Sequence, residues 1–169
     1  MFFASIILLA LAATGFTQAP EGYRKVLITS MVDPTYVVVP KSATSGAGLV
    51  VQKRNDMPEQ HWYIKSDNTT IQLANTTPAL CVDAGAKTNW RDMGSLSVKP
   101  CNSTERAQAF TAMADGRIAL TDSNPKECID LQYMRATPNN PVGLYACAGL
   151  GNTGANDKGI NWPLVDVTS

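Results

Sequence analysis

The feature of this sequence that most constrains its fold is a segment of about 46 residues that occurs three times. Two copies match clearly, with LCVDAG at the start and VKPC at the end of one, and ECIDLQ and LYAC in the other. Their cysteines are 20 and 19 positions apart, from Cys81 to Cys101 and from Cys128 to Cys147. Self-similarity at a fixed period is typical of folds built from one repeated unit.

A weaker copy precedes these two and lacks the cysteines. Tyr36 and Asn55 stand at the corresponding positions, 19 apart, so that Tyr36, Cys81 and Cys128 follow one another at intervals of 45 and 47 residues. Three copies in the same order predict a threefold arrangement of like units.

Each copy contains short, β-branched apolar runs bounded by Gly, Pro, Asn or Asp, which predict strands of a few residues. The clearest runs are Val37–Val39, Leu49–Val51, Leu96–Val98 and Ile118–Leu120. Asp115-Gly116 predicts a tight turn. Apart from the N-terminal apolar segment, helical periodicity is not sustained over ten positions, so we expect helix only as single turns. The segment from Gly149 to Gly159 is rich in Gly and Asn, and we expect a long flexible loop there.

The N-terminal residues predict a secretory signal peptide. An apolar run from Phe2 to about Ala13 is too short to span a bilayer and is followed by small residues, so a cut after Gly15 or after Ala19 would suit signal peptidase. Pro20 ends the apolar run too early for a membrane anchor. Residues 1–19 are therefore predicted to be removed, and the protein is predicted to be secreted and extracellular, without membrane insertion.

The charge balance excludes partners that need a basic surface. The chain has 14 basic and 14 acidic residues and no run of like charge, so we expect no nucleic-acid binding. Four cysteines behind a signal peptide predict two disulfides, for which three pairings exist. Three Asn-x-Ser/Thr sequences, at Asn68, Asn75 and Asn102, would accept N-glycans in surface loops in a eukaryotic host.

The sequence contains little that would support an enzymatic activity. His61 is the one histidine of the sequence, and it lies in a strand-like segment with no nucleophile motif near it. A zinc site would need several His or Cys ligands, and no glycine-rich phosphate loop is present. We therefore predict no catalytic activity, no metal site and no cofactor.

The motifs and their order resemble the ricin B-type lectin family. Cys-x-Asp occurs as Cys81-Val82-Asp83 and Cys128-Ile129-Asp130, and a strand ending in cysteine occurs as Val142 to Cys147. Gln-x-Trp occurs as Gln60-His61-Trp62, as Gln108-Ala109-Phe110 and as Ile160-Asn161-Trp162. The resemblance implies an all-β fold, a β-trefoil of about 12 short strands in one domain over residues 20–169, with repeats at about 23–79, 80–127 and 128–169.

The resemblance also implies how the interior is held together. One large ring from each repeat, Trp62, Phe110 or Trp162, would fill the core near the threefold axis, and each buried ring contributes roughly 1.5–3 kcal/mol by area. The family places its disulfides within a repeat, which selects Cys81–Cys101 and Cys128–Cys147. Each would add roughly 3 kcal/mol by closing a loop of this length.

In the family, each repeat can hold a sugar in a shallow pocket. The Asp of Cys-x-Asp accepts hydrogen bonds from sugar hydroxyls, an aromatic ring two residues before the second cysteine stacks on the apolar face of the sugar, and an Asn beside the Gln adds a further bond. This combination suits a galactose-type sugar, which has a polar edge and an apolar face.

The three copies keep these residues to different extents. The first has Val38 for the carboxylate and Lys53 for the ring. The second keeps Asp83 but has Lys99 for the ring and Ala107 for the Asn. The third keeps Asp130 and Tyr145 but has Gly159 and Ile160 for the Asn-Gln pair; Asn156, Asp157 or Asn161 could replace the missing polar contacts.

The implied sugar-binding residues are therefore Asp130 and Tyr145 in the third copy, and Asp83 with Trp90 in the second. Asp83 and Asp130 could instead cap turns, and Trp90 could pack its loop onto the barrel or supply the ring that Lys99 does not. The function implied is a secreted protein that binds glycans or glycoproteins. The alternative is a trefoil that has lost its sugar sites and binds a protein, as a protease inhibitor or host-interaction protein would. The sequence carries no signal for oligomeric state.

Overall fold

The computed structural model describes residues 19–168, so the predicted signal peptide lies outside the described residues except for its last residue. These residues form strands and single 3-10 turns, and none of them is in an α-helix. Within this part of the chain, no helix has the length and apolar character needed to cross a bilayer. The all-β prediction is confirmed.

Thirteen short strands follow one another along the chain. They are β1 (Arg24–Ile28), β2 (Tyr36–Pro40), β3 (Leu49–Lys53), β4 (Trp62–Ile64), β5 (Asp67–Thr69), β6 (Gln72–Leu73), β7 (Leu80–Asp83), β8 (Ser97–Pro100), β9 (Phe110–Ala112), β10 (Ile118–Leu120), β11 (Glu127–Leu131), β12 (Val142–Ala146) and β13 (Leu164–Asp166). The 3-10 turns cover Pro58–Gln60, Lys87–Asn89, Arg106–Gln108, Gln132–Met134, Leu150–Asn152, Gly154–Asn156 and Lys158–Ile160.

One set of strands closes into a barrel. β13, β1, β4 and β6 pair in that order, and β5, β9 and β10 pair in that order, all antiparallel. β5 and β6 follow directly along the chain, and a bridge from Arg117 to Asn161 brings the start of β10 to the segment before β13. A break between β5 and β6 divides one expected strand into two, so there are 13 strands instead of the expected 12.

The other strands form three hairpins, β2–β3, β7–β8 and β11–β12. Single bridges join each hairpin to the next: Gly48 to Ser97, Ser95 to Gly143, and Val50 to Pro141. Three hairpins that meet one another over a closed barrel give the threefold plan of a β-trefoil. Each hairpin comes from one copy of the repeat and defines the first, second and third repeat below.

The three predicted core rings lie in the main apolar cluster. Trp62 and Phe110 have no exposed surface, and Trp162 is 1% exposed. The indole Nε1 of Trp62 donates to the carbonyl oxygen of Val38 at 2.8 Å, and that of Trp162 donates to Ile129 at 2.9 Å. The indole N–H groups therefore gain partners without leaving the core, as a buried Trp requires.

Both predicted disulfides are present, Cys81–Cys101 and Cys128–Cys147, and no described cysteine is free. Each ties the start of a hairpin to the residue just after its second strand. The first hairpin has no such link.

The three sequon asparagines are exposed. Asn75 and Asn102 lie outside the strands, in loop segments. Asn68 differs from the expected loop position, because it lies in β5, which forms the edge of a five-stranded sheet.

The segment from Gly149 to Gly159 is not the flexible loop expected from its composition. It folds into three consecutive 3-10 turns around a buried carboxylate. Asp157 accepts backbone N–H bonds from Leu150 at 2.7 Å and from Gly159 at 2.8 Å. The Asn161 amide donates to the carbonyl oxygens of Asp115 and Ala155. These side-chain bonds satisfy backbone groups that the short turns leave open, and composition alone does not reveal them.

Candidate functional site

The strand pairing within the three hairpins shows which residues are equivalent in the three repeats, both at the carboxylate position and at the ring position. The residue expected to carry the carboxylate lies on the first strand of each hairpin, and it is Val38, Asp83 or Asp130. The residue expected to carry the ring lies on the second strand, and it is Lys53, Lys99 or Tyr145. Each of these pairs with the residue that lies two positions before the carboxylate position on the first strand. Of the predicted sugar-binding residues, the structure brings Asp130 and Tyr145 together, whereas Asp83 lies beside Lys99.

In the first repeat, Val38 is buried in the main core. A cavity of about 400 Å³ lies beside this hairpin and is lined by Lys53, Gln60 and neighbouring loop residues. Neither the carboxylate nor the ring of the expected sugar site is present there.

In the second repeat, Asp83 is only 2% exposed and its oxygens already have partners. Oδ1 accepts from the backbone N–H of Gly85 at 2.8 Å and lies 2.9 Å from Lys99 Nζ. Oδ2 accepts from Gln108 Nε2 at 3.1 Å. The residue that replaces the ring therefore spans the strand pair and neutralises the carboxylate.

These contacts decide the protonation of Asp83. Burial acts to raise its pKa, but the hydrogen bonds from Lys99, Gln108 and the Gly85 N–H and the positive charge of Lys99 outweigh burial, so the pKa lies below its ordinary value. Asp83 is a carboxylate at neutral pH, and its acceptor capacity is directed at the protein.

Trp90 does not line the cavity of about 350 Å³ that contains Asp83. Its ring packs against the main core, its Nε1 donates to the Gly85 carbonyl oxygen at 3.1 Å, and the Lys87 ammonium lies 5.8 Å from the ring centre. Trp90 thus anchors the loop that follows Asp83.

The third repeat holds a cavity of about 360 Å³ of a different kind. Two carboxylates, Asp130 and Asp157, lie in it, and the other lining residues are apolar or aromatic: Met93, Tyr133, Met134, Tyr145 and Leu150. In the described part of the chain, no lysine or arginine lines this cavity. Among the residues 19–168, no group of His, Cys, Asp and Glu side chains is arranged to hold a metal ion.

Asp130 is 7% exposed, and no described residue donates a hydrogen bond to its carboxylate. The second repeat explains this difference. There, Gln108 holds Asp83, whereas the equivalent position in the third repeat is Ile160, which is fully buried and has no polar atom in its side chain. Asp130 is therefore an acceptor that the protein leaves unused.

The environment of Asp130 favours the protonated form. Burial is the largest cause, and the negative charges of Asp157 and Asp92 add to it, so that the pKa of Asp130 rises to about 7. The two equivalent carboxyls, Asp83 and Asp130, are thus shifted in opposite directions because a cation and an amide contact only the first.

Gly159 brings the two carboxylates of the third repeat close together. A Cβ atom at this residue would lie 2.9 Å from Asp130 Oδ1 and 3.1 Å from Asp157 Oδ1, which places these two oxygens no more than about 6 Å apart. Any side chain at residue 159 would therefore cover both oxygens. Of the three polar residues expected to compensate for the missing Asn-Gln pair, Asp157 reaches the cavity, whereas Asn161 bonds to backbone carbonyls elsewhere.

The apolar wall of this cavity is unusually exposed. Tyr133 is 73% exposed, and Met93, Met134 and Leu150 also rank among the exposed large apolar residues. Met93, Tyr133 and Met134 have backbone φ values of +64°, +59° and +48°, a conformation that few residues other than Gly, Asn and Asp adopt. Strained residues that hold apolar side chains in solvent at a cavity point to a binding surface.

Met93 comes from a loop of the second repeat that packs along β12. Its backbone N–H donates to the Leu144 carbonyl oxygen, and Leu144 donates to Gly94. Gly143, opposite Asp130, permits this approach because a Cβ there would lie 2.5 Å from the Gly94 carbonyl oxygen. Met93, Tyr133, Met134 and Leu150 were not predicted from the sequence, where their one signal is an apolar side chain within a polar segment.

His61, the residue weighed for catalysis, is 8% exposed between a 3-10 turn and β4. Burial and the positive charge of Lys25 lower its pKa. It lies outside the third-repeat cavity and outside the cavity that contains Asp83.

Comparisons with known proteins agree with this arrangement. Residues 69–158 match the sequence model of one protein family, the ricin-type β-trefoil lectin domain. Among curated proteins, none matches the sequence.

Solved structures share the fold at low sequence identity. A designed threefold symmetric protein, ThreeFoil, superposes with a TM-score of 0.67 at 15% identity, covering 87% of this chain and all of its own. The C-terminal half of an earthworm R-type lectin in complex with GalNAc gives 0.62 at 11% identity, covering 85% and 99%. The β-trefoil lectin of a Vibrio vulnificus hemolysin with bound N-acetyl-D-lactosamine gives 0.61 at 11% identity, covering 88% and 98%. At these identities the likeness establishes the fold.

Proposed function

Because the chain belongs to the ricin-type β-trefoil lectin family, we propose that it binds glycans, and that the third-repeat cavity is its binding site. The observation that carries this proposal is Asp130, a buried carboxylate without a donor from the described residues, beside the Tyr145 ring in an open cavity. The Asp130 oxygens reach the cavity without a donor from the described residues, so a ligand hydroxyl can donate to them.

The ligand class follows from the two kinds of surface in the cavity. Carboxylate oxygens accept hydrogen bonds from neighbouring sugar hydroxyls, whereas the rings of Tyr145 and Tyr133 and the methionine side chains can contact C–H groups. A sugar with a polar edge and an apolar face, of the galactose type, fits this division.

We propose that Asp83 and Trp90 in the second repeat stabilise the fold and do not bind sugar. Because Asp83 is already bonded to Lys99, Gln108 and Gly85, a sugar hydroxyl would have to displace a protein donor. Trp90 supports the neighbouring loop instead of facing this carboxylate. We therefore propose one working site per chain, with Asp83 and Trp90 stabilising the second repeat.

The same proposal covers location and modification. Residues 1–19 would direct the chain to the secretory route, and the two disulfides suit an oxidising, extracellular environment. Exposed Asn68, Asn75 and Asn102 would carry N-glycans in a eukaryotic host. Extracellular glycans and glycoproteins are the partners that this location offers.

The test makes the same Asp-to-Asn substitution at two equivalent positions, residue 130 and residue 83, and compares glycan binding. Asp130→Asn is expected to weaken binding of an immobilised galactose-type glycan at pH 8 by tenfold or more, because a charge-assisted hydrogen bond contributes about 1.5–3 kcal/mol. Tyr145→Ala is expected to weaken it severalfold through lost ring contact. Asp83→Asn is the matched control and should leave the affinity unchanged. Surface plasmon resonance with competing free monosaccharide measures all three.

Equal glycan affinity in the native protein and in Asp130→Asn would contradict the assignment of the site. Absence of binding across a broad glycan array would contradict the function itself. In that case the exposed apolar wall around Tyr133 and Leu150 would support the alternative of a protein-binding trefoil, such as a protease inhibitor or host-interaction protein.

A further inference from the structure

We propose that the third-repeat cavity selects sugars that carry a free, protonated amino group, such as galactosamine, over neutral sugars of the same shape. This inference rests on the proposed function and names the ligand class of the same site. It follows from the charges in the cavity, the spacing of its carboxylates and the nature of its wall.

The negative charge of the cavity has no compensating cation. Asp130 and Asp157 line it, and Asp92 lies close enough to affect Asp130, whereas none of the described residues that line it is basic. The neighbouring Arg135 and Lys158 are exposed and do not line the cavity. The equivalent carboxylate of the second repeat is, by contrast, paired with Lys99 at 2.9 Å. A ligand cation would supply to the third repeat what Lys99 supplies to the second.

The spacing of the two carboxylates suits one ammonium group. Their Oδ1 atoms are both about 3 Å from the Cβ position of Gly159, as is Met134 Cγ, and are no more than about 6 Å apart. Asp157 Oδ1 accepts from the Gly159 N–H and keeps a second lone pair for a ligand. An ammonium nitrogen between them could donate to both at ordinary hydrogen-bond lengths, which are about 2.8 Å for charged pairs. A neutral hydroxyl has one proton to donate and cannot serve both oxygens in this way.

The wall of the cavity favours the same ligand. Two aromatic rings, Tyr133 and Tyr145, stand beside the carboxylates. Aromatic faces attract an ammonium group through the ring quadrupole and also pack against sugar C–H groups. N-acetylation removes the charge of the amino group, so an N-acetylated sugar of the same ring is the natural neutral comparison.

The groups that face Asp130 make this selection depend on pH. They are Asp157 and Asp92, which raise its pKa, and the rings of Tyr133 and Tyr145; Glu127 on the same strand has its carboxyl buried. Since the pKa of Asp130 is about 7 without ligand, the carboxylate needed by an ammonium group is present above pH 7 and lost below it. Galactosamine affinity should therefore fall as the pH drops from 7.5 to 5.5, more steeply than galactose affinity.

Isothermal titration of the full mature chain with galactosamine, galactose and N-acetylgalactosamine at pH 7.5 tests the proposal. We expect galactosamine to bind at least tenfold more tightly than either neutral sugar, and the advantage to shrink in high salt. Asp92→Asn, which keeps an oxygen for the Ala146 N–H, should reduce the advantage of galactosamine over galactose. Asp83→Asn should change neither this advantage nor the galactose affinity.

The outcomes separate this inference from the function on which it rests. Equal affinity for the three sugars, or tighter binding of the neutral ones, would overturn the amino-sugar selectivity while supporting sugar binding. Butylamine that binds as tightly as galactosamine would also overturn it, because the site would then recognise an amine without the sugar. Binding of none of these probes would overturn both proposals.

Discussion

Replacing Trp162 with alanine is expected to lower the free energy of unfolding by about 3–5 kcal/mol, the usual cost of removing a large buried ring. The side chain is 1% exposed and belongs to the main core that the barrel and hairpins share. Its Nε1 donates to the Ile129 carbonyl oxygen, and its backbone N–H donates to Gly116. The substitution therefore leaves a cavity and an unpaired carbonyl group at once. Urea denaturation followed by circular dichroism measures the loss.

Trp162→Phe is the matched control, because the second repeat already has Phe110 at the equivalent position. This change keeps most of the ring and removes the N–H, so we expect a loss of about 1–2 kcal/mol, the cost of one unsatisfied buried carbonyl group and a smaller ring. A loss below 1 kcal/mol for Trp162→Ala would contradict the place of this ring in the core.

The second large effect is a rise in stability as the pH falls from 8 to 5. Glu127 is 1% exposed, and its Oε2 atom has no hydrogen-bond partner among residues 19–168. Burial, with a smaller contribution from Asp92, raises its pKa to about 7. It starts β11 at the position where β7 has Leu80, a core residue. An ionised carboxyl there replaces an apolar side chain.

The sign follows from the raised pKa. The folded protein binds the proton more tightly than the unfolded chain, so the stability contributed by the protonated carboxyl is full below the unfolded pKa of about 4.5 and is lost as the pH rises through 7. Asp130 acts in the same direction. We expect the free energy of unfolding to be greater at pH 5 than at pH 8 by about 2 kcal/mol from Glu127 alone.

Glu127→Leu should remove most of this dependence and stabilise the protein mainly at pH 8. Glu21→Gln, at an exposed position, serves as the control and should leave the pH profile unchanged. Urea denaturation at a series of pH values from 5 to 8 measures both. A flat profile in the native protein, or an unchanged slope in Glu127→Leu, would contradict the burial of this carboxyl.

The fold was readable from the sequence because its markers recur with the repeat. The cysteines, at spacings of 20 and 19 residues, make contacts within one repeat. The rings at the start of β4 and β9 and before β13 meet in the common core. These positions are fixed by local sequence and by the period. The interruption between β5 and β6 and the order in the segment from Gly149 to Gly159 depend on particular hydrogen bonds, and composition does not indicate them.

Only part of the third-repeat site could be predicted from the sequence. Asp130 and Tyr145 follow from a local motif, since they lie on paired strands of one hairpin. Met93 reaches the same cavity from another repeat, and Asp157 reaches it through the turns before β13. Tertiary packing brings these residues together, so no spacing in the sequence signals them. Lys99 was noted at the ring position, but its ion pair with Asp83 became visible only in the structure.

The central claim is that the third repeat contains the glycan-binding site. A titration of the ¹⁵N-labelled protein with galactose and with galactosamine, followed by amide chemical shifts, tests it most directly. We predict saturable shifts at Asp130, Tyr145 and Asp157, which line the cavity, and at Gly159, which lies against both carboxylates. We predict none at Gly85 and Lys99 beside Asp83. Shifts confined to Gly85 and Lys99 would place the ligand in the second repeat and contradict the claim.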